Sequence, residues 1–155
     1  ASGKKFRVFA QSLTLKQLVN LANRHLDNLN PRYFIEKDEE EVLDLMIVDT
    51  FQANTRRPMK TLSGGESFLV SLALALGLSD LAGQNTNIES LFIDEGFGTL
   101  DEKTLEDAII TLENLNHSGK TIGVISHVPA LKEKITTQVR VLKKGGGVSV
   151  LELNG

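Results

Sequence analysis

Two short apolar runs, "SLFID" at 90–94 and "TIGVIS" at 121–126, enclose a stretch at about 101–116 that reads as a helix. A strand, a helix and a second strand in that order imply a parallel pair joined by a right-handed crossover, because parallel neighbours cannot be linked by a tight turn. The carboxyl ends of both strands then share one edge of the sheet, which is where open α/β sheets hold their ligands. An α/β fold follows, with a parallel sheet core, flanking helices and a C-terminal β-hairpin around Gly145, Gly146 and Gly147.

Upstream, Leu15, Leu18, Val19, Ala22, Leu26 and Leu29 recur at helical spacing, Thr14 and Gln17 stand as a capping box, and Pro31 lies just past the end. The runs 33–37 and 43–49, split by the acidic "DEEE", predict a hairpin. Residues 50–61 read as a loop, and its basic Arg56, Arg57 and Lys60 fit a solvated face better than a DNA contact. From Ser63 the pattern is helical to about Leu81, and Pro129 opens a later short helix.

A chain of 155 residues, 41% of them hydrophobic, can bury a real core. Its formal charge of -3 sets up no global basic field for nucleic acid. The lack of cysteine excludes disulfides and thiolate metal sites and suits a reducing cytosol. No apolar segment follows the charges of "ASGKKFRVFA", and the greasiest run, 68–78, is too short to span a bilayer. The expectation is a cytoplasmic protein without membrane contact, and the start at Ala1 suggests an excised piece.

The stretch "TLSGGESFLVSLALAL" places two glycines at the mouth of a helix that is apolar nearly all round. Ser63 and Glu66 are spaced to cap one another's backbone amides. That leaves Gly64 and Gly65 unexplained, each costing up to about 1 kcal/mol against alanine. Bare first-turn amides at the positive end of a helix are suited to receive phosphate.

In "SLFIDEGFGTLD" the apolar strand runs into Asp94 and Glu95, acids that are costly to bury without a partner. Asp94 is suited to hold Mg²⁺, and Glu95 to orient or deprotonate an attacking water. Asp101 can cap the following helix. The second strand ends at "ISHV", bringing His127 to the same edge as a polar contact to phosphate. The "NHSGKT" of 116–121 imitates a phosphate-binding loop, but Asn114 occupies the place of the required glycine and the helix precedes the strand. Gly119 is better read as a helix C-cap.

Taken in order, "LSGGE", "LFIDEGFGTLD" and "VISHV" resemble the signature motif, the Walker B strand with its D-loop, and the H-loop of ATP-binding-cassette (ABC-type) ATPases. Transport ATPases usually carry glutamine at the place of Glu66 and proline at that of Gly96, so the chain is similar to the branch related to chromosome-maintenance proteins. "TLSGGESFLVSLALALGLSDL", "DEGFGTLD" and "GKTIGVISHV" are very similar to the C-terminal part of the SbcC family, ATPase subunits of a double-strand-break nuclease complex. A weaker likeness extends upstream through "KFRVFAQSLTLKQLVNLAN" and "IVDTFQA".

The resemblance implies the C-terminal lobe of an ABC-type ATPase head, at 31–155, preceded at 1–30 by the end of a coiled coil and its base helix. Walker A and the Q-loop would lie in an N-terminal lobe of the same protein, without which this part would be inactive. Two heads would form a homodimer that sandwiches ATP and Mg²⁺. Ser63, Gly64 and Gly65 would contact the γ-phosphate in trans, with Glu66 completing the motif and Asp101 organising the interface. Asp94 would support Mg²⁺, Glu95 would activate water and His127 would contact the γ-phosphate in cis. The implied partners are a nuclease subunit of SbcD type and double-stranded DNA. A chromosome-organising DNA clamp without a nuclease is the alternative, and Glu66 and Gly96 disfavour a transporter lobe.

Overall fold

The computed structural model describes residues 2–83, 90–117 and 120–154. A long helix α1 (Ser2–Leu29) leads into three strands, β1 (Tyr33–Lys37), β2 (Leu45–Asp49) and β3 (Thr55–Pro58), which pair antiparallel in that order. Helix α2 (Gly64–Gly83) is followed by β4 (Ser90–Asp94), α3 (Glu102–His117) and β5 (Thr121–Ile125). Strands β4 and β5 pair in parallel, as the order of elements implied, with Asp94 opposite Ile125. A short α4 (Pro129–Lys134) and the hairpin of β6 (Gln138–Lys144) and β7 (Val148–Asn154) complete the chain.

Helices α1 and α2 meet backbone to backbone. A Cβ on Gly77 would lie 2.7 Å from the amide nitrogen of Ala22 and 2.9 Å from its Cα, so only glycine permits this approach. Around the crossing, Ala22 and Leu26 of α1 and Leu69, Val70, Ala73 and Leu76 of α2 form one core with Ile35, Ile47 and, from α3, Ala108 and Ile109. At 20 residues, α2 is longer than the apolar run read from sequence, and it has the length and composition of a membrane span. Its buried side chains belong to this core, as expected of the central helix of a folded domain.

Two expectations are corrected. Thr14 is no helix cap: α1 runs through it from Ser2, and the Thr14 hydroxyl donates to the Ala10 carbonyl at 3.2 Å, the back-bond of a mid-helix threonine. No proline interrupts residues 2–13, so helical pairing simply continues. The region 50–61 is not all loop either. After a turn with Ala53 and Asn54 at positive φ, β3 pairs with β2 from Thr55 opposite Asp49 to Pro58 opposite Met46. Its "TRRP" carries no apolar alternation, and an edge strand tolerates proline. Gly119 lies outside the described residues.

Buried polar groups tie the sheet to α1. The Asn23 side-chain amide donates to the Ile35 carbonyl and accepts from the Ile35 amide, both at 2.8 Å. Arg32 forks onto Asp49, whose side chain is 1% exposed, and holds that carboxyl below the usual carboxylate range against the opposing effect of burial. Filling the helix crossing should be costly: Gly77→Val is expected to destabilise the chain by about 1–3 kcal/mol through overpacking. Urea unfolding should show this as a lowered midpoint with little change in slope.

Candidate nucleotide site

The first turn of α2 is built as the sequence indicated. The Ser63 amide donates to Glu66 Oε2 at 2.7 Å, and the Glu66 amide donates to Ser63 Oγ at 3.4 Å. The other carboxylate oxygen of Glu66 accepts from the Tyr33 hydroxyl and, at 3.2 Å, from Arg57 Nη2. Partial burial pushes the Glu66 carboxyl up, but Tyr33, the Ser63 amide and Arg57 together outweigh it and hold its pKa at about 2. Burial, reinforced by Glu66, pushes the Tyr33 phenol up to about 12. At neutral pH the pair is therefore a charged carboxylate and a protonated phenol.

Close packing accounts for part of the glycine pair. A Cβ on Gly65 would stand 2.9 Å from the Thr99 carbonyl oxygen, in the single 3₁₀ turn Phe97–Thr99 that follows β4. Among the described residues no protein acceptor takes the amide protons of Gly64 and Gly65, which leaves two first-turn donors for an anion.

At the sheet edge, Glu95 and Gly96 take consecutive left-handed conformations, φ 59° and 96°, that swing the chain off β4. For glutamate this costs about 1 kcal/mol. The Glu95 amide donates to the Ile125 carbonyl at 2.9 Å, extending the parallel ladder by one bond. His127 lies two residues beyond Ile125, the end of the neighbouring β5, and its Nδ1 is 3.0 Å from Glu95 Oε2. Both side chains are open, His127 80% and Glu95 51% exposed, and Asp94 is exposed as well. The anticipated burial cost of the two acids therefore does not arise, and their environment is that of an open, ligand-accessible edge.

The turn after β4 connects the two groups of residues. Phe97 is buried and packs edge-on against Phe68 of α2 at 4.7 Å, while Gly98 lies beside the His127 ring. Thus Gly64 and Gly65 lie against Thr99 at the end of this turn, and His127 lies against Gly98 within it. Asp101 caps α3, its two oxygens accepting from the Thr104 amide at 3.0 Å and the Thr104 hydroxyl at 2.6 Å. These bonds keep its carboxyl below the usual range.

Lys120, from the imitation phosphate loop, is committed elsewhere. Its Nζ lies 3.0 Å from both Ser79 Oγ and Asp80 Oδ1, and Asp80 also meets His25 at 2.6 Å. The basic loop is likewise engaged within the chain: Arg56 pairs with Glu36 and Glu39, and Arg57 with Glu66. Sequence reading missed Tyr33 and Arg57 as neighbours of Glu66. Among the described residues no cluster of three or more His, Cys, Asp or Glu forms a metal cage, so Asp94 offers a single carboxylate. A lone exposed carboxylate fits Mg²⁺, which keeps several waters and takes its other ligands from substrate phosphates.

Residues 37–114 match the family model described as "SbcC/RAD50-like, Walker B motif". The chain belongs to this family. It is 50% identical over 154 residues to the SbcC component of the nuclease SbcCD from Rhodobacter capsulatus, and 47% identical over 155 residues to the protein of the same name from Pseudomonas aeruginosa. These alignments cover 99% and 100% of the chain but only 12% and 13% of the relatives' length. In fold it is similar to a chain from a structural study of ATP-driven dimerization and DNA-stimulated activation of SMC ATPases, with a TM-score of 0.74, 14% identity, and coverage of 96% of this chain and 89% of that one. The expected α/β head fold is therefore present, and the likeness to SbcC read from the motifs holds over the whole chain.

The Glu66 network sets a pH dependence. Its folded pKa lies below the unfolded one, so its stabilisation is complete above about 4.5 and is lost as pH falls toward 2. Against a Glu66→Gln variant, which keeps the shape but not the charge, the parent's advantage should shrink by on the order of 2 kcal/mol between pH 6 and pH 2.5. Urea unfolding of both proteins across that range would show a constant gap if Glu66 is not the titrating group.

Proposed function

We propose that this chain is the C-terminal lobe of an ATPase head, which hydrolyses ATP between two paired heads and drives the processing of DNA double-strand-break ends by a nuclease subunit of SbcD type. The observation that carries the reading is the meeting of Glu95 and His127, 3.0 Å apart at the carboxyl ends of two paired parallel strands, with Asp94 next to them. Family membership and the nuclease-complex name of the 47–50% identical relatives support it.

In this reading Glu95 accepts a proton from the water that attacks the γ-phosphate, and His127 directs an imidazole nitrogen toward the same phosphate. Asp94 helps to hold Mg²⁺, which when bound neutralises charge on the phosphate oxygens. The Ser63 hydroxyl and the free amides of Gly64 and Gly65 meet the γ-phosphate of ATP carried by the opposite head, and Asp101 stands at that interface. The phosphate-cradling loop comes from an N-terminal Walker A lobe, so the chain alone binds ATP weakly and does not turn it over. Helix α1 up to about residue 30 is the end of a coiled coil and its base, a role suited to its 28 residues and the exposed Phe6, Phe9 and Leu13. The protein works in the cytoplasm on double-stranded DNA. A DNA clamp without a nuclease is the competing reading, which copurification of a nuclease subunit would eliminate.

The two acids should separate in a head reconstituted with the Walker A lobe. Glu95→Gln can still hydrogen-bond but cannot take a proton at neutral pH, so hydrolysis should fall by about 10² or more while ATP-bound pairs accumulate. Asp94→Asn should weaken Mg²⁺-dependent binding as well as turnover. A Glu95→Gln head that hydrolyses at the parental rate, or loses ATP binding as severely as Asp94→Asn, would show that the roles are misassigned.

A further inference from the structure

Tyr33 and Arg57 take no part in the proposed chemistry, yet both reach the first turn of α2 from the antiparallel sheet. Residues directly opposed in an antiparallel pair project on the same face. The register Tyr33 opposite Asp49, Ile35 opposite Ile47 and Ile47 opposite Arg57 places these five residues on one face, and Ile35 and Ile47 bury it in the core. Arg57 on β3 and Tyr33 on β1 thus converge across β2, where Arg57 lies 5.7 Å from the centre of the Tyr33 ring. Arg32, fixed to buried Asp49, lies 5.0 Å from the same ring. Arg57 also donates to the Thr61 carbonyl at 3.3 Å, just ahead of the glycines.

A capping box needs one carboxylate oxygen for the helix, and on a surface helix water can satisfy the other. Here the second oxygen of Glu66 is taken by a buried phenol and a guanidinium, while the first holds the Ser63 amide. The carboxylate is a rigid bridge between sheet and turn.

We propose that Tyr33 and Arg57 are positioning residues that act through Glu66 to fix the turn Ser63, Gly64, Gly65 in the orientation needed to meet ATP on a second head. This rests on the ATPase reading above. Neither residue touches nucleotide. Their contribution is to hold a polar surface in place, so it should be felt in the pairing of heads and not in the chemical step.

The test uses the head reconstituted with the Walker A lobe, with ATP-dependent pairing followed by sedimentation, ATP binding to unpaired heads by a fluorescent analogue, and turnover per paired head. Tyr33→Phe retains the ring and removes only the hydroxyl. Pairing should weaken about tenfold, the scale of one hydrogen bond to a charged acceptor, with ATP affinity and turnover per pair within twofold of the parent. Arg57→Gln, at a side chain 26% exposed, should act in the same direction. In a Glu66→Ala background, Tyr33→Phe should have less than a twofold further effect. Leu112→Ala, in the α3 core, should lower stability without changing pairing. Parental pairing by both Tyr33→Phe and Arg57→Gln, or full additivity with Glu66→Ala, would overturn the positioning role. Ser63→Arg separates the two levels: if it abolishes pairing while Tyr33→Phe and Arg57→Gln do not, only the positioning role fails, whereas normal ATP-dependent pairing by Ser63→Arg removes the signature-motif assignment on which that role rests.

Discussion

The backbone contact between Ala22 of α1 and Gly77 of α2 sets the separation of the two longest helices, and with it the depth of the core. A side chain at Gly77 would push the helices apart and open the space filled by Leu26, Leu69, Val70, Ala73 and Leu76. The consequence reaches the far end of α2. Its first turn is aimed by a helix that cannot rotate without exposing that apolar set, so the glycines at 64 and 65 project from a fixed support. The antiparallel sheet is fastened to the same frame through Asn23 and the Ile35 backbone. Two neutral hydrogen bonds in a dry site constrain the strand more narrowly than apolar contact could, because they have direction.

The turn after β4 is the joint between this frame and the sheet edge. Glu95 and Gly96 are bent into the left-handed region, and Phe97 is driven into the core against Phe68. A Cβ on Gly96 would fall within 2.1 Å of the Phe68 ring, so the "GFG" wording answers to packing as much as to any ligand. The strain at Glu95 is offset by the burial of Phe97, and the result is an acid held outward, beside His127, by a hydrophobic anchor two residues away. Electrostatics divide along the same line. The buried or half-buried acids Asp49, Glu66 and Asp80 each have a cationic partner, and the edge acids Asp94 and Glu95 are left open to solvent and to whatever binds there.

Much of this was legible in the residues themselves, and the parts that were share a physical basis. The capping box of Ser63 and Glu66, the Asp101 cap, the hairpins and the parallel order of β4 and β5 rest on hydrogen bonds between near neighbours or on the alternation of apolar runs. Such patterns are decided within a few residues and are written directly into the sequence. What only the tertiary structure decided spans longer separations: Asn23 with Ile35, Tyr33 and Arg57 with Glu66, Lys120 with Asp80, and Ala22 with Gly77. The third strand was hidden because its "TRRP" gains its place from pairing with β2 and not from its own pattern, and the apolar spacing by itself missed the extension of α1 to Ser2 because nothing in residues 2–13 marks a start. Arg57 looked like a solvated loop charge. It became a structural cation once folding brought the capping acid Glu66 within 3.2 Å, since a charge finds its partner through the path of the whole chain and not through its neighbours in sequence.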